Sequence, residues 1–239
     1  MTSVAPGAVL ELISVSKQYG ALRPLRVERL EVEAGDQIAL LGLDQPAAEV
    51  FINLVTGASL PDAGTICVLG RATVEIADSS DWLSTLDRFG IVSERAALLD
   101  ALSIVQNLAM PFSLEIEPPA DDIREQASRL AREVGLADAA WDRPVVELDA
   151  ASRVRLRLAR ALAFNPSILL LEHTSATIPR PEIPAFARAI RAIIERRGVA
   201  AIALTMDTEF AVAVAAKTLT LDPSTGRVTE GRLGKIRFW

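Results

Sequence analysis

The sequence predicts an α/β domain built on a mainly parallel sheet, with an antiparallel β edge and a helical lobe. Three observations predict it. Short apolar runs suited to buried strands alternate with segments of helical periodicity, the order that lays helices over a parallel sheet. The N-terminal segments instead alternate apolar and polar residues, as half-exposed antiparallel strands do. A charged amphipathic helix between Pro118 and Asp142 reads as part of a separate helical lobe.

Taken in order, residues 9–15 and 26–33 form the antiparallel pair, joined by a turn near Gly20. The apolar run 37–41, bounded by Gly35 and Gly42, suits a buried strand, and residues 46–55 follow with helical spacing at Val50, Phe51 and Leu54. Residues 64–69 and 89–92 read as further strands, and 96–111 as a loop passing into an apolar helix. In the charged helix, Ile123, Ala127, Leu130, Ala131 and Val134 recur near the 3.6-residue period behind Pro118 and Pro119. A helix over 150–164 leads through Asn165 and Pro166 into a buried strand at 168–171. Then come a helix over 182–196, a strand at 200–205, a helix near Phe210 and a strand at 218–221. The chain is read as one unit over 1–239, with the helical lobe at about 96–150; residues 1–7 and the tail after Gly231 are expected to be least ordered.

Composition narrows the function. Half of the 239 residues are hydrophobic and 23% are charged, which excludes a disordered chain. The net charge of −6 comes without a basic stripe, so nucleic acid is not an expected partner. One cysteine, Cys67, and one histidine, His173, exclude a disulfide framework and a histidine-rich metal cluster. The longest uncharged apolar stretch, from Ala101 to Leu114, is too short to cross a bilayer, and the start lacks a leader pattern, so a cytoplasmic setting is expected. The three lysines are Lys17, Lys217 and Lys235; arginine carries nearly all the positive charge.

The segments VSKQYG (from Val15), IALLGLDQPAAEV (from Ile38), LLDALSIVQNLAMPF (Leu98 to Phe112), LDAASRVRLRLARALAFNPSILLLEHTSA (from Leu148) and ALTMD follow one another in that order. Together they resemble the ATP-binding cassette (ABC) transporter subunits, over nearly the whole chain. The resemblance implies a P-loop NTPase-like fold and a two-lobed domain that works as a homodimer or heterodimer, clamping two ATP molecules with magnesium. It also implies a membrane-subunit partner, reached through about Leu98 to Phe112, and a place peripheral to the cytoplasmic membrane. The compact length resembles exporter subunits for lipids, lipoproteins or hydrophobic compounds.

The departures from the family pattern bear on activity. The phosphate loop, Gly-x4-Gly-Lys-Ser/Thr, is here GLDQPAAE: Gly42 is kept, while Ala47 replaces the second glycine, Ala48 the phosphate-binding lysine and Glu49 the magnesium-ligating hydroxyl. A helix N-terminus attracts anions, and a glutamate there competes with phosphate. A unit-charge pair at about 4 Å and an effective dielectric of about 20 is worth on the order of 4 kcal/mol, so exchanging an attractive lysine for a repulsive carboxylate is expected to remove most nucleotide affinity. The simpler reading of Glu49 is a first-turn residue stabilising the helix start; the sharper one is a cation site shared with Glu172.

The remaining family positions are altered as well. The signature Leu-Ser-Gly-Gly-Gln becomes Leu148, Asp149, Ala150, Ala151 and Ser152, with Arg155 three residues on. Glu94 stands for the loop glutamine, Glu172 for the metal-binding aspartate, His173 for the catalytic glutamate and Met206 for the switch histidine. Thr174 replaces a proline, and Pro179 the aspartate of the dimer-contact loop. His173 reads either as a general base or as a histidine hydrogen-bonded at the end of the central sheet. Tyr19 matches the family's adenine-stacking aromatic, or packs after a strand. Around Leu98 to Phe112, Leu102, Ile104, Val105 and Leu108 are expected to pack inward while the preceding loop stays free to dock.

The expectation is therefore a subunit with no working catalytic residue, no metal and no required cofactor, ATP and magnesium binding only if some affinity is retained. It would serve as a structural or regulatory partner of a transport complex. The alternatives are a hydrolysing ATPase with unorthodox residues, in which arginines such as Arg155 replace the lysine, and a soluble scaffold detached from transport.

Overall fold

A computed structural model describes residues 7–231; of the two segments expected to be least ordered, all but Gly7 lies outside the described residues. The strands are β1 (Ala8–Lys17), β2 (Leu25–Glu33), β3 (Gln37–Leu41), β4 (Ala63–Val68), β5 (Arg71–Ala72), β6 (Phe89–Val92), β7 (Ile168–Glu172), β8 (Ala200–Thr205), β9 (Lys217–Leu221) and β10 (Val228–Glu230). The helices are α1 (Gln45–Val55), α2 (Ser79–Leu86), α3 (Ile104–Ala109), α4 (Asp121–Glu133), α5 (Ala150–Ala161), α6 (Ile183–Arg197) and α7 (Thr208–Val214).

Strands β7 and β8 are buried at every position, and they lie at the middle of a six-stranded sheet ordered β10-β9-β3-β8-β7-β6. Every pairing in it is parallel except β10 with β9. The expected antiparallel pair, with Leu12 opposite Leu30 and Val15 opposite Val27, grows into a second sheet ordered β2-β1-β4-β5. Helix α1 is wedged between the sheets: Phe51, Leu54 and Val55 have essentially no exposure and share a core with Leu10, Leu12 and Val32 on one side and Leu40, Leu170 and Ile202 on the other. Burying side chains of this size stabilises by about 1.5–3 kcal/mol each. The opposite face of the parallel sheet carries the second core, which joins Leu169 and Leu171 to α3, α4, α5, α6 and α7.

Local chemistry sets the ends of these helices. Ser103 and Gln106 close α3 with a reciprocal capping box, and Gly198 at φ +62 ends α6 in the left-handed conformation. Sequence periodicity missed α2, β5 and β10, which are short or have little buried surface.

Candidate functional site

The loop between β3 and α1 begins at Gly42, at φ +100, where any side chain would run into the Leu221 carbonyl of β9. Its role visible here is backbone clearance. Asp44 is the N-cap of α1: its carboxylate accepts the Ala47 amide at 3.0 Å, and its carbonyl accepts the Ala48 amide at 2.8 Å. Unpaired amides at a helix start are what a phosphate would use, so Asp44 already supplies the anion. Ala47 and Ala48 are buried. Glu49 is the fifth residue of the helix and not in its first turn, so the reading of it as a helix-start carboxylate is corrected: Asp44 has that role.

Glu49 is instead drawn into an ion pair. Arg95, three residues beyond β6, places Nη1 2.9 Å from Glu49 Oε1. Its Nη2 and Nε lie 3.1 and 3.3 Å from Glu172 Oε2. Glu172 ends β7 with no exposed side-chain surface, and Gln45 Nε2 donates to its Oε1 at 3.0 Å. A buried carboxylate without a partner is strongly unfavourable; here one guanidinium satisfies it in a forked, charge-assisted geometry while its other end pairs with Glu49. The structure thus brings together the two carboxylates considered for a cation site, and the cation between them is a side chain. A magnesium nucleotide does not fit these residues as they stand: the place between the carboxylates holds a guanidinium, and the helix amide is taken by Asp44. Among the described residues no group of three or more metal-ligating side chains occurs.

The other singled-out residues have local roles or stand exposed. Asp149 caps α5 by accepting the Ser152 amide at 2.6 Å, leaving Ala150 and Ala151 in the first turn, so the signature segment carries its own anion as the phosphate loop does. Glu94 is exposed, and so is Met206, at 60%. Tyr19 is half-buried against the core shared by the two sheets, and burial, with Asp44 nearby, raises its hydroxyl pKa. The Arg155 guanidinium sits 5.8 Å from the centre of the Phe186 ring, so within this chain it does not stand in for the missing lysine.

His173 departs from the expected hydrogen-bonded histidine. Its backbone amide donates to Leu204 O at 2.9 Å, but its Nε2 is buried without a partner, as is Thr174 Oγ1. Its φ of +46 is a left-handed conformation in which a non-glycine residue is strained. Both residues line a cavity of about 10 Å³ beside Glu172 and Arg157, and His173 also borders a larger one with Ser175, Arg180 and Asp207.

The segment from Leu98 to Phe112 departs from expectation in one respect. Ile104, Val105 and Leu108 are fully buried and Leu102 is half-buried, but the loop before them is not free. Arg157 Nε donates to Ala96 O at 3.2 Å, Arg160 to Ala97 O at 2.6 Å and Arg153 to Asp100 at 3.0 Å. The buried Asn107 side chain bonds both the amide and the carbonyl of Leu99, at 2.9 and 3.0 Å. Burial lowers the pKa values of Arg157 and Arg160. A groove of about 350 Å³ opens beside this loop, lined by Ile91, Met110, Pro111, Arg157, Arg160 and Phe164. Phe164 is 60% exposed and meets Phe112 edge-on at 5.9 Å.

Comparison with known proteins identifies the family and the fold. The ABC transporter family model matches residues 26–176, more than half of the chain. The aliphatic sulfonates import ATP-binding protein of Albidiferax ferrireducens is 30% identical over 93% of this chain and 74% of its own length. The sulfate/thiosulfate import ATP-binding protein of Rhodopseudomonas palustris is 29% identical over 92% and 62%. Among solved structures, a Clostridium perfringens cassette that is part of an ABC transporter complex superposes with a TM-score of 0.79, at 18% identity over 95% of this chain and 89% of that one. A dimeric cassette bound to ADP and phosphate does so at 0.74 and 18%, over 92% and 98%. The two-sheet core, the helices on its far face and the order of the motifs are those of this fold, and the chain belongs to the ABC transporter family.

Proposed function

We propose that this chain is a cassette subunit of a membrane transport complex that contributes protein contacts, structural or regulatory, in place of ATP hydrolysis. The observation that supports this best is Arg95 held between Glu49 and Glu172, which fills the centre of the site with the protein's own cation. The self-capped starts of α1 and α5 support it further, because both helix ends are supplied with an anion from their own Asp44 and Asp149. The relatives named above are import proteins, which favours an import complex over an exporter.

In this reading the membrane subunit docks near Leu98 to Phe112 and the adjoining groove, and a second cassette, of the same or another kind, completes the pair at the cytoplasmic face of the membrane. The experiment is a steady-state phosphate-release assay on the purified chain and on the chain assembled with its membrane subunit. No turnover attributable to this chain is expected.

A hydrolysing enzyme with unorthodox residues is the second reading, favoured by the unpartnered buried Nε2 of His173. Turnover abolished by both Glu172→Ala and His173→Ala would establish it.

A further inference from the structure

The connection from β6 to α3 is tied down on two sides. On one, Arg95 reaches across to Glu49 on α1 and Glu172 at the end of β7. On the other, Arg153, Arg157 and Arg160, which share one face of α5, bond Asp100, Ala96 O and Ala97 O. Arg95 is also fixed at its own backbone, its amide donating to Ser93 Oγ at 3.1 Å. A guanidinium is a cation that meets a carboxylate through a planar fork of donors.

We propose that Arg95 is a resident cation, taking the place a divalent ion would need between Glu49 and Glu172 and latching the partner-facing segment to the core whether or not metal or nucleotide is present. This deepens the non-hydrolysing reading of the same site and rests on it. The Glu172 carboxylate has no exposed surface, a place where its ionised form is favoured by a paired cation, and the chain supplies that charge from the loop itself. A metal ion is free to leave and so leaves such a loop adjustable; a side chain two residues from Ala97 is not. The groove beside Phe164 is then presented in one arrangement.

The test uses Mn²⁺ as probe, with calorimetry and electron paramagnetic resonance on the full chain, and amide exchange read at Arg95 or its replacement, Ala96 and Leu99. The native chain is expected to show no specific Mn²⁺ site. Arg95→Ala is expected to gain one, at least tenfold tighter than any binding by the native chain, and to exchange those amides at least tenfold faster. Glu49→Gln added to it should abolish the gain. Arg95→Lys keeps the charge without the fork and serves if Arg95→Ala fails to fold; it should stay closed to Mn²⁺ and show intermediate exchange. Equal Mn²⁺ binding by native and variant, or unchanged exchange in Arg95→Ala, overturns the proposal. Phosphate release by the native chain that shows no Mn²⁺ site would overturn the functional reading instead, so the two failures are distinguishable.

Discussion

The guanidinium of Arg95 grips the carboxylate of Glu172 through Nε and Nη2 at 3.3 and 3.1 Å, joining a loop residue that is 39% exposed to the buried end of the central sheet. The centre of the site is therefore occupied by the protein's own cation, one guanidinium facing two carboxylates. Further consequences can be measured.

Repairing the phosphate loop alone should not restore nucleotide affinity. In Ala48→Lys with Glu49→Ser, Arg95 keeps its fork on Glu172 and still fills the centre. Adding Arg95→Gln should raise ATP affinity by at least about tenfold over the double variant, equivalent to about 1.4 kcal/mol. Competition against a fluorescent nucleotide checks the order of the native chain and the two variants.

The capping aspartates should be felt as stability. Asp44→Ala removes the acceptor of the Ala47 amide at the start of a helix buried between two sheets, and Asp149→Ala does the same for Ser152. Each should cost about 1 kcal/mol, a fall in Tm of roughly 2–4 °C for a chain of this size, read by thermal unfolding followed by circular dichroism.

The sequence made most of the fold legible and only the outline of the site. Buried strands such as β7 and β8 are continuous apolar runs, and α1 shows its periodicity, so burial is written directly in residue type. The positions of Glu49, Glu172, His173 and Met206 follow from motif order. Arg95 was missed because its partners are 46 and 77 positions away, a relationship that no local pattern carries. Asp44 was legible in principle: an Asp followed two residues later by Pro, just before an apolar helix, is an N-cap signal. The arginines at 153, 157 and 160 also left a trace, their spacing of four and three placing them on one helix face.

Acid should weaken the contact between β5 and α2 through one carboxylate. Arg71 Nη2 donates to Asp81 Oδ2 at 2.7 Å, and this bond, followed by the Ala77 amide, lowers the Asp81 pKa to about 2. A depressed folded-state value gives stability that is present above the unfolded pKa of about 3.9 and lost as pH falls through about 2. The difference in urea midpoint between the native chain and Asp81→Asn should therefore be constant near neutrality, shrink between those values and vanish at lower pH.

Phe164 should be the anchor of the groove. It is 60% exposed, packs edge-on against Phe112 and stands beside Arg160. Phe164→Asp should weaken binding to a membrane subunit by at least about tenfold while leaving Tm nearly unchanged, because an exposed aromatic at an interface centre contributes mostly to association. Co-purification and thermal unfolding of the same variant check both halves.

The most direct measurement is a calorimetric titration of the native chain with ATP and magnesium. The arrangement of Asp44, Glu49, Arg95 and Glu172 predicts no saturable heat up to about 1 mM, the weak end of specific binding. A micromolar Kd, with magnesium required for it, would contradict the account.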